Sequence, residues 1–240
     1  MGEKKMALHI VSSFDRDLKE VLKATDDMGR LVRSQLSDVA AALQSVDCRE
    51  AGRIMARDAE VNGMEVSIDA RIEAIFACRQ PAAGDLRFLI GLSRISVDLE
   101  RMGDEIRNMA RAVSELKGLD ASVLANRSTL AMGLAAVGLM IEDVLDAIGR
   151  LDTQEARAVI ERDGMIDDVY RTTLRSLVTH MMEDPSSVSS ALGLMWIARS
   201  LERVGDHVKN VAEAVIYIAE GADVRHEFYT EAGPSASAGA

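Results

Sequence analysis

The sequence is short of the residues that interrupt or cross-link a chain. Three prolines in 240 residues leave long uninterrupted stretches, and proline is the residue that stops helices and is kept out of central strands. The two cysteines, Cys48 and Cys78, form no CxxC pair and have no histidine cluster beside them, which excludes a disulfide framework or a zinc knuckle. They are expected as reduced, partly buried fillers. Aromatic residues make up only 3% of the chain, and few β-branched residues alternate with polar ones, so a sheet has little to be built from. No apolar run approaches the ~20 residues of a membrane span; the longest, Leu130 to Ile141, falls well short. The opening residues carry no sustained apolar stretch with a cleavage pattern, so no secretory leader is expected and a cytoplasmic protein is. Nor is there a long basic block: the net charge is −11, and nucleic acid is not an expected partner.

What remains is helix-forming material, Ala, Leu, Arg, Glu and 13 Met, in helical rather than alternating periodicity, and it predicts an all-α fold. Apolar residues at that spacing mark an amphipathic helix from about Phe14 to Val46. Asp47, with Glu50 three residues on, has the form of a capping box opening a second helix from about Arg49 to Arg79. Pro81 turns the chain into a third, about Gly84 to Leu116, and Lys117 to Asp120 reads as a linker. The pattern then restarts from Ala125. Asp152 and Glu155 stand 105 residues after Asp47 and Glu50, and Pro185 stands 104 after Pro81. The fold expected is therefore two tandem, pseudo-symmetric three-helix bundles, six long helices in all, over residues 8–117 and 122–221. The remainder, 222–240, turns to Gly, Pro, Ser and Ala and is expected to be disordered from about residue 233.

Within the repeat one phrase recurs almost intact. Asp98-Leu-Glu-Arg-Met-Gly-Asp-Glu-Ile-Arg-Asn108 aligns with Ser200-Leu-Glu-Arg-Val-Gly-Asp-His-Val-Lys-Asn210. On a helix at about 100° per residue, positions four apart differ by only about 40°, so Glu100, Asp104 and Asn108 form one oxygen-rich stripe, roughly opposite the apolar one. Paired carboxylates at that spacing on two adjacent helices are what oxygen-preferring divalent cations require. The second half offers Asp163 and Asp167 on its second helix and Glu202 and Asp206 on its third. The first offers Asp58, Asn62, Glu100 and Asp104, one formal charge weaker; Glu65 and Asp69 share the polar face of Asp58 and Asn62.

The plainer reading is a solvated face, with Arg107 and Lys209 as salt-bridge partners of Asp104 and Asp206 three residues away. A buried redox carboxylate site is disfavoured, because no histidine follows a Glu at i+3 and the stripe points away from the core. Gly103 and Gly205, inside helical patterns, are expected to let a helix or a cation approach closely. His207 is expected to be solvated or capping, and Trp196 and most Met residues to be packed.

Gln80-Pro-Ala-Ala-Gly-Asp-Leu-Arg87, the two copies of the phrase, the amino-terminal Phe14-Asp-Arg-Asp-Leu and the closing Gly221-Ala-Asp-Val-Arg-His226 together resemble the PhoU family of phosphate-uptake regulators, over roughly residues 8–227. The resemblance implies two tandem three-helix bundles and a cytoplasmic, non-enzymatic adaptor, a negative regulator of the phosphate-starvation response that represses it when phosphate is plentiful. It also implies the ATPase subunit of a phosphate ABC transporter and a sensor histidine kinase as partners, a homodimer, and membrane association only through partners. Metal ions of uncertain identity (iron, zinc, manganese, magnesium or calcium) would sit on Glu100/Asp104, Glu202/Asp206, Asp163/Asp167 and Asp58/Asn62. The alternatives are a metal-dependent carboxylate-bundle enzyme and a PhoU-like paralogue serving another transporter.

Overall fold

The structure is a computed structural model that describes residues 2–116 and 124–224, with side chains for 13–116 and 126–224. Six long helices account for nearly all of it: α1 (Gly2–Ser45), α2 (Cys48–Arg79), α3 (Ala83–Glu115), α4 (Leu124–Arg150), α5 (Thr153–Glu183) and α6 (Val188–Glu220). A 3₁₀ turn, Pro185–Ser187, precedes α6. The expected linker Lys117–Asp120 and the tail from residue 225 lie outside the described residues.

The junctions explain why the helices begin where they do. Asp47 donates its amide to the Ala42 carbonyl at 3.1 Å, closing α1. Its carboxylate accepts from the amides of Arg49 and Glu50, opening α2. Asp152 repeats both acts between α4 and α5, with its amide on Ala147 and its carboxylate on Gln154 and Glu155. Because each Asp amide is already engaged by the preceding helix, the reciprocal half of a capping box does not form. Glu50 pairs instead with Arg53, and Glu155 lies by Arg162.

Each half is a three-helix bundle: α1, α2 and α3 pack on one another, as do α4, α5 and α6. The halves join along α3 with α6 and α1 with α4, so the buried apolar residues of both form one continuous core. Four helices thus make the centre and α2 and α5 flank it. The α3–α6 contact is antiparallel: Gly91 meets Ile218, Asp98 meets Asn210, Glu105 meets Arg203 and Leu116 meets Gly193. At Gly91 an added Cβ would overlap Ile218, at Gly29 it would overlap Leu145 of α4, and at Gly193 it would lie 2.7 Å from Leu116. These three glycines are notches into which the other half inserts a side chain.

Polar residues also fasten this contact. Arg203 binds Glu105, whose side chain is 6% exposed, at 2.8 Å. His207 is neither solvated nor capping: its Nδ1 lies 2.9 Å from Asp98 Oδ1, with both side chains nearly buried. Asn210 donates to the same oxygen. His207 stands off the apolar stripe of its own bundle, but the surface it occupies is covered by the other bundle.

Two other expectations are corrected. Cys48 and Cys78 are exposed, because they fall off the Ile54, Val61, Ile68, Ile72 and Ile75 stripe that α2 buries. Trp196 is 67% exposed, one position outside the buried Ile197 and Ala198. Most of the described methionines are packed, as expected: Met28, Met102, Met109 and Met140 lie in the core and Met55, Met64, Met181 and Met195 pack against it, while Met132, Met165 and Met182 stand in solvent.

Candidate functional site

The carboxylate stripes of α3 and α6 do not simply face solvent. Glu100 and Asp104 are half-buried in the groove between α3 and α2, and Glu202 and Asp206 line the matching groove between α6 and α5. The glycine between each pair sets the depth of its groove. A Cβ on Gly103 would press on Val61 of α2 at 3.2 Å, and one on Gly205 would lie 3.3 Å from Ile166 and 3.5 Å from Asp163 Oδ1 of α5.

In the first groove Asp58 is buried, and Arg107 of α3 spans the groove to it at 2.5 Å while holding Asp104 at 2.9 Å. One guanidinium thus bridges carboxylates of two helices. Asp58 Oδ1 and Asn62 Oδ1 are nevertheless buried without a hydrogen-bond partner. Buried acceptors rarely lack a donor. Burial raises the Glu100 carboxyl above its ordinary range, and Asp104, Glu65 and Asp58 add to the rise; Glu65 is raised by burial and by Asp69. Glu65 therefore belongs to this cluster, a placement foreshadowed by its position three residues after Asn62.

The second groove distributes its cations differently. Lys209, the counterpart of Arg107, reaches Asp163 at 3.3 Å, and Arg171 reaches Asp167 at 3.3 Å. Arg199 lies within ion-pair distance of both Glu202 oxygens, but its one hydrogen bond goes to Oε1, leaving Oε2 buried and without a donor. Asp206 has no ion-pair partner among the described residues. Burial and the carboxylates of Asp163 and Asp167 raise Asp206, against the opposing pull of His207 and Lys209. Burial raises Glu202 as well; Arg199 opposes it and Asp206, Asp167 and Asp163 reinforce it. All four expected residues of each half are thus brought to one groove. Among the described residues, however, no three Asp, Glu, His or Cys side chains are gathered as they would be around an ion. The interposed guanidinium and ammonium groups hold several of the carboxylates individually.

These shifts carry a sign. A carboxyl raised in the folded state keeps its proton at pH values where the unfolded chain has lost it, so stability falls as pH rises from the unfolded value through the folded one. The metal-free protein is expected to lose stability across that mildly acidic window, and Glu202→Gln with Asp206→Asn to flatten the loss and raise Tm at pH 7 by a few degrees. Thermal melts at a series of pH values, in chelator, test this; a double variant with an unchanged profile would contradict it.

The same fold occurs in known proteins. The chain matches the PhoU domain twice, over residues 25–113 and 134–215. It belongs to the PhoU family. Among curated PhoU relatives, "Phosphate-specific transport system accessory protein PhoU homolog" of Pseudomonas putida is 41% identical over 94% of this chain and 88% of its own length. "Phosphate-specific transport system accessory protein PhoU" of Escherichia coli is 36% identical over 91% of this chain and 90% of its own. The crystal structure of PhoU from Pseudomonas aeruginosa superposes with a TM-score of 0.82 at 39% identity, covering 87% of this chain and all of that one. PhoU from Streptococcus pneumoniae, a phosphate transport system regulatory protein, gives 0.81 at 28% identity, over 88% and 99% of the two chains.

Proposed function

We propose that this PhoU-family chain is a non-catalytic, cytoplasmic negative regulator of phosphate uptake. In this reading it is a homodimeric adaptor between the ATPase subunit of a phosphate ABC transporter and a sensor histidine kinase, repressing the starvation response when phosphate is plentiful. The observation that carries the reading is the near-complete match to relatives named as accessory proteins of phosphate transport. No helix among the described residues is long and apolar enough to cross a membrane; in this reading the chain is peripheral to the membrane, held there only by its partners.

The two grooves are its metal-responsive parts. The buried, donor-less oxygens of Asp58, Asn62 and Glu202 are acceptors of the kind a hard cation satisfies. Asp163, Asp167, Glu202 and Asp206 would hold an ion in the second half, and Asp58, Asn62, Glu100 and Asp104 in the first. When bound, the ion would supply positive charge and hold two helices together. The second groove is the stronger: it has four carboxylates, one of them unpaired, whereas Arg107 already neutralises much of the first.

Glu202→Ala with Asp206→Ala is expected to remove at least half of the bound metal, measured by elemental analysis of protein purified without chelators. The same variant should impair repression of a phosphate-starvation reporter at high phosphate. Unchanged metal content together with unchanged repression would sink the metal-linked reading.

A further inference from the structure

The antiparallel α3–α6 contact ends in a groove on either side, and the two grooves are built from equivalent positions of the repeat. In one, Arg94 lies over the ring of Tyr217, 4.5 Å from its centroid, and Asp98 accepts from His207 and Asn210. That groove is narrowed by these contacts to about 240 Å³. In the other, 102 residues on in the repeat, Trp196 replaces Arg94, Ser200 replaces Asp98, and Arg111 stands where the first has Glu213. Repetition alone would have left the two alike.

The second groove is the larger and the less acidic of the two, with Arg111, Arg199 and Arg203 set against Glu105 and Glu115. It encloses about 360 Å³, with Trp196 on one wall and Arg111 and Arg203 beside it. Arg111 is exposed and has no carboxylate partner among the described residues. Arg203, although tied to Glu105, leaves half its side chain in solvent. Leu192 and Val188, four and eight residues before Trp196, are also exposed and extend the apolar strip to the start of α6. Arg203 also fastens α3 to α6, but the exposed Trp196 contributes little to the core, and Arg111 has no ion-pair partner among the described residues, on a chain of net charge −11. Tryptophan and arginine are the residues that concentrate binding energy at protein interfaces, and a local charge opposite to that of the whole chain selects and steers an acidic partner.

We infer that this end of the α3–α6 groove is a docking surface for an acidic segment of a partner protein. An apolar side chain of that segment packs on Trp196, and its carboxylates lie against Arg111 and Arg203. The inference rests on the adaptor reading, and it names the surface through which the adaptor grips.

Trp196 is the only tryptophan in the chain, so its emission reports on this groove alone. The full-length protein is titrated with the purified transporter ATPase subunit and, separately, with the purified cytoplasmic region of the kinase. At least one is expected to shift Trp196 emission to the blue, with an affinity that falls as salt is added. Calorimetry should show Trp196→Ala and Arg111→Glu each weakening that binding at least tenfold. Arg101→Glu, the same charge change at the counterpart of Arg203, should leave it within about twofold. Both test residues are exposed, so their variants should melt with the wild type. Binding that persists undiminished in the Trp196 and Arg111 variants overturns the docking surface while leaving the adaptor reading intact. Failure of the wild type to bind either protein overturns both.

Discussion

Replacing Arg107 by methionine is expected to lower the stability of the fold by about 3 kcal/mol at pH 7, the low end for stranding one partner of a buried ion pair. Methionine keeps most of the side-chain volume, so the effect isolates the charge. Asp58 is the group that suffers: its side chain is 8% exposed, Arg107 is its ion-pair partner, and its other oxygen already lacks a donor. Asp104, more exposed, loses the same guanidinium but can be hydrated. Two further measurements identify the cause. Acidification should recover part of the loss, because a stranded carboxylate regains neutrality by taking a proton. Asp58→Asn in the Arg107→Met background should recover part of it at pH 7. A divalent cation should also stabilise the variant more than the wild type, since a ligand bound only by the folded state raises its stability. Denaturant titrations in chelator, and then with added Mn²⁺, check all three; a loss below about 1 kcal/mol would mean that Asp58 is adequately solvated.

Gly91→Val is expected to cost about 3 kcal/mol, at the upper end for overpacking a close contact. In a chain of this size that lowers Tm by roughly 6–12 °C. Even the Cβ would overlap Ile218, and valine's two γ-carbons cannot turn away from a neighbouring helix as a longer, flexible side chain can. Gly138, in α4, provides the control: nothing lies within 4 Å of where its Cβ would be. Gly138→Ala should therefore stabilise by about 0.5–1 kcal/mol, through helix propensity alone. Differential scanning calorimetry of the two variants separates steric from backbone effects; a Gly91→Val melt within a degree of wild type would show that α3 and α6 yield easily.

Much of this architecture is legible in the residues themselves. Asp47 and Asp152 mark two helix junctions because a cap depends on side-chain chemistry within a few residues. The spacing of Glu100 with Asp104, and of Glu202 with Asp206, locates the grooves because a helix converts spacing into direction. What escapes is the surface where the bundles meet. A single helix advertises its most apolar stripe, which for α3 and α6 faces their own bundles, whereas the inter-bundle contact is made by Glu105, Arg203, Asp98 and His207 and by glycines such as Gly91 and Gly193. Those read as solvent-facing or as mere irregularities. The same limit explains Arg107: its spacing from Asp104 indicated the local pair, but its reach to Asp58 on another helix needed the groove to be built.

The notches at Gly91 and Gly193 lie toward opposite ends of the antiparallel contact, and each receives a side chain from the other half. Together they act as a detent with a single setting. For α3 to slip along α6 the next seat would be one helical turn away, about 5.4 Å, where Ile95 or Arg87 would have to take the place of Gly91. Neither offers a recess. Sliding of one half past the other would have to clear both stops at once and break the Glu105–Arg203 and Asp98–His207 pairs that lie between them.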